Sequence, residues 1–378
     1  MKIIIAPDSF KSTLSALKVA SAIKEGFLEI FNDATYILIP IADGGEGTLN
    51  SLMYNQDGKI IEVRVKNALL EDTKAYIGIT DEGKTAIVES ALACGIEQIP
   101  PKNLNPLKAS SYGVGQLIKN ALQLHVKKII IGVGSTATND CGAGMLIALG
   151  AKLINKSGQE MNYKNIDLNE IASIDLTHFD KSIYDKEIIV ASDVNNPLLG
   201  LNGATYTYGP QKGATQDILP ILEKGMKNFS TVSNNLMHKS YQNHPGSGSG
   251  GGLGFSLLTY FNATIMSGIG LMIQAKNIET LVYDADILIT GEGKIDEQTI
   301  FGKGPYGLVR HAKLINPKIL TIGISGSLGN NLNELYNDGF DAVFNTILTP
   351  GKLEEISENT YQNIKIVSSN IARLLKVR

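Results

Sequence analysis

The sequence predicts an α/β protein of two domains: a discontinuous one built on a parallel sheet, and a mixed α/β domain inserted into it. Three observations lead there. Short runs of β-branched apolar residues recur near both ends of the chain, each followed by a polar loop and a helical stretch; that is the pattern of parallel strands covered on both faces. From residue 59 the pattern changes to apolar–polar alternation broken by tight turns, which is antiparallel hairpin grammar. The chain is also long enough for two cores, with 378 residues of which 43% are hydrophobic. The divisions are set at 1–60 with 277–378 for the parallel domain and 61–276 for the insertion.

Taken in order, residues 2–6 (KIIIA) form a buried strand, and Ser12 or Thr13 caps a helix to about residue 31 with Leu17, Ala20, Phe27 and Phe31 on its apolar stripe. Residues 36–41 form the next strand, ending in the loop Asp43-Gly44-Gly45-Glu46-Gly47 before another helix. Residues 59–66, 75–80 and 85–89 alternate as hairpin strands, and a helix spans about 107–124. Residues 187–194 are an apolar strand carrying Asp193 at its end, and 217–236 read as a helix. The glycine-rich segment 246–254 runs straight into an apolar helix, 255–261, so it reads as a glycine loop and not as a linker. Three further strands, 285–290, 319–325 and 340–345, and a helix from about 358 restore the first pattern.

The stretch 127–150 is the most informative. The strand Ile129-Ile130-Ile131 gives way to a loop of small polar residues, Gly132 to Gly144, and then to an apolar helix. Strand, glycine loop and helix N-terminus together bind anions, because free N–H groups and the helix dipole point at the ligand. Ser135, Thr136 and Thr138 add hydroxyls, while Asn139 and Asp140 either join the site or cap the turn.

Composition narrows the function classes. A net charge of −3 without a long basic run argues against a nucleic-acid surface. No apolar run reaches transmembrane length, and MKIIIAPDSF reads as a strand and not as a signal peptide. Two distant cysteines, Cys94 and Cys141, fit a reducing cytoplasm, and the five histidines show no HExxH spacing. There is no GxxxxGK[ST] motif. Gly132-x-Gly134-x-x-Ala137 matches a dinucleotide fingerprint, although no strand-end acid follows about 20 residues on.

Right-handed crossovers suggest a flavodoxin-like strand order, 2-1-3-4-5, for the parallel domain. That order makes neighbours of the strands ending near Pro7, Ile41 and Thr290, whose loops carry Asp8 and Lys11, Asp43 and Glu46, and Glu292, Lys294 and Asp296. Carboxylates with interspersed lysines, together with a phosphate-binding loop, suit Mg²⁺-nucleotide chemistry.

Seven ordered segments then resemble the glycerate kinase type I family along almost the whole chain: 6–16 (APDSFKSTLSA), 40–48 (PIADGGEGT), 134–144 (GSTATNDCGAG), 192–204 (SDVNNPLLGLNGA), 209–215 (GPQKGAT), 246–254 (GSGSGGGLG) and 289–305 (ITGEGKIDEQTIFGKGP). The departures are Ser12 where the family commonly has Gly, Asn195 where it has Asp, and no Ala in the loop 247–250. Asn195 removes a carboxylate and turns attention to Asp193.

The resemblance implies an ATP-dependent kinase for D-glycerate, using Mg²⁺, with 2-phosphoglycerate favoured over 3-phosphoglycerate. It is expected to be a cytoplasmic monomer or homodimer without nucleic-acid or membrane partners. None of the four arginines lies in a motif loop, so the cationic work falls to lysines. The residues then divide as follows. Asp193, as general base, Lys11 and Lys294 are catalytic. Asp8, Ser9, Asp43, Gly44, Glu46 and Asp296 bind substrate. Gly134, Ser135, Thr136, Thr138, Asn139, Lys212, Gly250, Gly251, Gly252, Glu292 and Lys303 bind the nucleotide. Asp140 and Asp193 hold the metal. The rival reading is a nicotinamide-dependent oxidoreductase of a small hydroxy acid, built on residues 132–137.

Overall fold

Ile3, Ile4 and Ile5 are all fully buried, which requires cover on both faces of the strand that carries them. The computed structural model describes residues 1–10, 13–296, 299, 304–330, 332–337, 339–349 and 357–377; Lys11, Ser12 and Lys303 lie outside them. The strands among the described residues are β1 (Lys2–Ile5), β2 (Thr35–Leu38), β3 (Lys59–Lys66), β4 (Asp72–Thr80), β5 (Thr85–Glu89), β6 (Lys128–Gly132), β7 (Lys152–Asn155), β8 (Ile171–Asp175), β9 (Glu187–Ala191), β10 (Thr264–Met266), β11 (Ile287–Ile295), β12 (Leu320–Leu328) and β13 (Ala342–Asn345). The chain forms two compact units: residues 1–43, 50–54 and 268–378, and residues 44–49 and 55–267. The sequence put the junctions at 60/61 and 276/277, and it kept residues 44–49 with the parallel domain.

The first unit holds a five-stranded sheet in the order β13-β12-β11-β1-β2, parallel throughout. Counted within the unit this is 2-1-3-4-5, the flavodoxin-like order expected. The helices Ala16–Leu28 and Thr360–Lys376 share one core with the sheet, in which Val19, Ile23, Phe27, Ile364 and Ile371 meet Ile3, Ile5, Ile289 and Ile322.

Two local expectations fail for visible reasons. The first helix is capped by Ser15, whose hydroxyl accepts from the Lys18 amide at 3.4 Å. Phe10 and Leu14 exchange backbone bonds at 2.9 Å and the helix starts only at Ala16; Leu17, expected on its apolar stripe, is exposed. β11 and β12 also run past their expected ends, because the ladder continues to Lys294↔Ser327 and Ile295↔Leu328. Glu292 and Lys294 therefore stand on a strand and not in a loop.

The second unit holds a six-stranded mixed sheet, β10-β9-β6-β5-β4-β3, and a small β7-β8 pair. β3-β4 and β4-β5 are the antiparallel hairpins expected, whereas β5, β6, β9 and β10 run parallel. The helices Tyr112–Leu122, Leu219–Met237 and Ser249–Phe261 help bury its core, through side chains that include Val114, Leu117, Met226, Phe229, Phe255 and Tyr260.

Candidate active site

The parallel part of the second unit's sheet has a shared carboxyl edge, because Glu89 pairs with Gly132 and Gly132 with Ala191 in one row. Open α/β sheets bind ligands outside such strand ends. Beyond that row come Ser90 after β5, the loop 133–142 after β6, and Ser192 and Asp193 after β9.

Residues 44–49 lie on the same edge. The Gly134 amide donates to Gly44 O at 3.0 Å, and Glu89 Oε1 and Oε2 accept from the amides of Gly47 and Leu49 at 3.1 and 2.9 Å. Gly44 has φ +87, and a Cβ there would lie 2.5 Å from Ala191 O, so only glycine permits the approach. Glu46 is exposed, with its amide 3.5 Å from Ser135 Oγ. Ser135 itself is a half-buried non-glycine residue with φ +57, a conformation that costs free energy and that clusters at functional sites.

The rest of the 133–142 loop faces inward. Thr136, Thr138 and Asn139 are buried. The Thr138 hydroxyl donates to Gly250 O at 3.4 Å, and Asn139 Nδ2 donates to Thr205 Oγ1 at 3.3 Å. Asp140 is buried as well. Its Oδ2 accepts from the Ser111 amide and hydroxyl, both at 2.8 Å, and from the Gly144 amide at 3.2 Å; its Oδ1 accepts from the Gly142 amide at 3.1 Å. Burial raises its pKa against these stabilising bonds. A carboxylate so occupied ties the turn to the chain at Ser111, as the capping alternative expects.

Lys212 is buried too, with Nζ 2.7 Å from Thr138 O and 3.5 Å from Thr136 Oγ1. Desolvation lowers its pKa to about 8. Gly250, Gly251 and Gly252 have φ of +60, +68 and +89. Cβ atoms added there would fall 2.7 Å from Val133 O, 1.9 Å from Thr138 O and 2.8 Å from Cys141 Cα. This glycine run packs backbone against backbone, and Gly251 and Gly252 are buried in doing so, with Gly250 half-buried.

Asp193 does not end its strand. β9 stops at Ala191, the Ser192 amide donates to Met266 O at 3.0 Å, and Asp193 follows, half-buried.

In the first unit the loops after β1 and β2 and the far end of β11 carry the expected acids on adjacent strands. Asp8 is buried, and its Oδ1 accepts from the Ser9 amide at 2.6 Å. Asp43 and Asp296 are half-buried. Glu292 Oε1 accepts from Thr299 Oγ1 at 2.9 Å, and Lys294 is ion-paired with Asp296 at 2.8 Å.

Among the described residues no three His, Cys, Asp or Glu side chains converge to hold a metal. A Mg²⁺ carried by a nucleotide needs only one or two carboxylates besides phosphate and water. Of the two carboxylates expected at the metal, Asp140 has both oxygens engaged by the hydrogen bonds above, and Asp193 is half-buried beyond the end of β9. The dinucleotide fingerprint is not built either. The Ala137 amide donates to Cys94 O at 2.8 Å, and the helix Ala143–Ala148 opens only after Gly142, so the helix that follows the loop does not start at Gly132–Gly134.

Sequence reading missed Glu89 and Ser111. Glu89 was hidden because β5 was read only as a hairpin strand; its parallel pairing with β6 is what puts its end on the edge. Ser111 carried no signal: it falls inside the helix expected over about 107–124, which starts only at Tyr112.

The model of the glycerate kinase family matches residues 3–376. The chain is 42% identical to the glycerate kinase of Bacillus subtilis (strain 168) over 377 residues, covering 100% of this chain and 98% of that one. It is equally similar to the glycerate 2-kinase of Escherichia coli (strain K12), at 42% over 377 residues with the same coverage. A crystal structure assigned to glycerate kinase 2 of Salmonella typhimurium LT2 superposes with a TM-score of 0.85 at 42% identity, covering 100% of this chain and 98% of that one. These likenesses span both units, and they overturn the oxidoreductase reading: the chain belongs to the glycerate kinase family and is a kinase.

Proposed function

We propose that the protein transfers the γ-phosphoryl group of ATP to the 2-hydroxyl of D-glycerate, with Mg²⁺, to give 2-phosphoglycerate. The observation that carries this reading is the end-to-end likeness, at 42% identity, to the glycerate 2-kinase of Escherichia coli. In the reaction the bond from the γ-phosphorus to the β–γ bridging oxygen breaks, a bond to the glycerate oxygen forms, and the hydroxyl proton leaves to a carboxylate. Such a transfer asks mainly for positioning and for stabilisation of charge.

The accessible groups on the second unit's edge suit that demand. Gly134, Ser135 and Gly250 are the assigned phosphate contacts, and Glu46 contacts glycerate. Asp193 takes the hydroxyl proton, and as a carboxylate on the same edge it would also hold Mg²⁺; the two roles respond differently to a Mg²⁺ titration. When bound, Mg²⁺ neutralises charge on the phosphate oxygens. In the first unit Asp8, Ser9, Asp43 and Asp296 are kept as substrate residues and Glu292 and Lys294 as nucleotide and catalytic residues. Thr136, Thr138, Asn139, Asp140, Lys212, Gly251 and Gly252 are read as the packed support beneath the edge.

Among the described residues no helix is long and apolar enough to cross a membrane. Both cysteines are free and buried, which fits a reducing compartment, and we assign the enzyme to the cytoplasm. The test is ADP release from ATP and Mg²⁺ with a panel of small hydroxy acids, followed by NMR of the product. Turnover with D-glycerate and phosphate on O2 are expected. No release above background would overturn the reading, and phosphate on O3 would overturn its regiochemistry.

A further inference from the structure

After Thr85, β5 runs through the apolar Ala86, Ile87 and Val88 to its last residue, a carboxylate only 2% exposed. A buried carboxylate needs strong donors. Glu89 takes two from one segment, the amides of Gly47 and Leu49, one on each oxygen. Between Gly44, which accepts from the Gly134 amide, and Leu49, the segment is thus anchored at both ends to the carboxyl edge of the sheet. Glu46 sits between those anchors, next to Gly47, and is exposed. A side chain on a short glycine-rich loop has no fixed direction of its own, so its backbone must be held for it to meet a substrate repeatedly.

We infer that Glu89 is a positioning residue: it touches no substrate, and it fixes the 44–49 loop so that Glu46 is presented to glycerate at the strand ends. The inference rests on the kinase reading above and names how that site is held.

The experiment uses the full chain with Glu89→Gln, Glu89→Asp, Glu46→Gln and the Glu46→Gln/Glu89→Gln pair. Glutamine keeps the size but turns an NH₂ toward one of the two amides. Hydrogen exchange at Gly47 and Leu49 is expected to quicken by about tenfold or more in Glu89→Gln, and kcat/KM for glycerate to fall by about 10²-fold, the scale of a small misplacement. Aspartate keeps both acceptor oxygens and the charge, so Glu89→Asp should recover part of the loss. Because Glu89 acts through Glu46, the double variant should be no worse than the poorer single one. Additive losses in the double variant, or a lowered Tm with unchanged kinetic constants, would overturn the inference. If the parent turns over no glycerate, it is the kinase reading that has failed; unchanged exchange at Gly47 and Leu49 in Glu89→Gln overturns the anchoring by itself.

Discussion

The Lys212 ammonium sits 2.7 Å from the carbonyl oxygen of Thr138, in a position only 3% exposed. It supports, from beneath, the loop that carries Ser135. Lys212 belongs to one of the segments from which a phosphate clamp was expected, but its charge is directed into the unit, with Cys94 and Asp140 as the charged or titratable groups that pull its pKa back up.

Burial of that charge has a pH signature. The folded pKa is about 8 and the unfolded value is 10.5. Below about 8 both states hold the proton and the penalty is constant; between about 8 and 10.5 the unfolded chain binds more protons, so stability rises with pH. Lys212→Met keeps the aliphatic stem, removes this slope, and leaves the Thr138 carbonyl without its donor, a loss of about 1–3 kcal/mol partly offset by removing a buried charge. The parent is therefore expected to gain stability relative to Lys212→Met as pH goes from 7 to 10. Lys276, also shifted to about 8, is common to both proteins and cancels. Urea midpoints at the two pH values measure the effect, and a constant difference would count against the buried charged state.

Gly251 should be the least replaceable of the glycine run. Alanine there would have φ +68 and a Cβ 1.9 Å from Thr138 O, which is backbone and cannot swing aside. Left-handed strain plus overpacking should cost at least about 3 kcal/mol. Gly83→Ala is the control. It has φ +89 but open space around the Cβ, so only the strain remains, about 1 kcal/mol. Equal losses in denaturant unfolding would show that contact with the 133–142 loop is not what constrains Gly251.

Asp140→Asn separates support from metal binding. The amide would set an NH₂ against the donors from Ser111, Gly142 or Gly144, a loss of about 1–3 kcal/mol. The Mg²⁺ concentration for half-maximal activity should not move. An unchanged Tm together with a tenfold shift in the Mg²⁺ requirement would return Asp140 to the metal.

How much of this was legible in the sequence depends on the range of the interaction. The order 2-1-3-4-5 could be anticipated because continuous apolar strands and right-handed crossovers leave few topologies. The hairpins β3-β4 and β4-β5 show in alternation, which is local. The parallel pairing of β5 with β6 depends on the helix Tyr112–Leu122 crossing between them, and no residue of β5 records it. The same limit hid the site's interior. A segment such as 246–254 has one composition whether its glycines meet a phosphate or another stretch of backbone, and only the fold shows Gly251 against Thr138. Asp193 was displaced from its strand end for a smaller reason: β9 pairs with β10 only as far as Ala191↔Met266.

Asp193 carries the most specific expectation. The chain before it is held by the bond from the Ser192 amide to Met266 O. The chain after it is held at Asn196, whose Oδ1 accepts from Tyr208 Oη at 2.6 Å and whose Nδ2 donates to Asn202 O at 2.7 Å. A carboxylate between two fixed points can meet a hydroxyl repeatedly within about 3 Å, as a general base must. Asp193→Asn keeps the shape and loses the charge, so kcat should fall by about 10²-fold while Tm stays near that of the parent. A Mg²⁺ titration of the variant then divides the two roles. Loss of a base leaves the Mg²⁺ dependence where it was, whereas loss of a ligand raises the half-saturating Mg²⁺ by about tenfold, with activity partly recovered at excess metal. Near-normal turnover would remove Asp193 from the chemistry altogether and pass the role to Asp43 or Asp296.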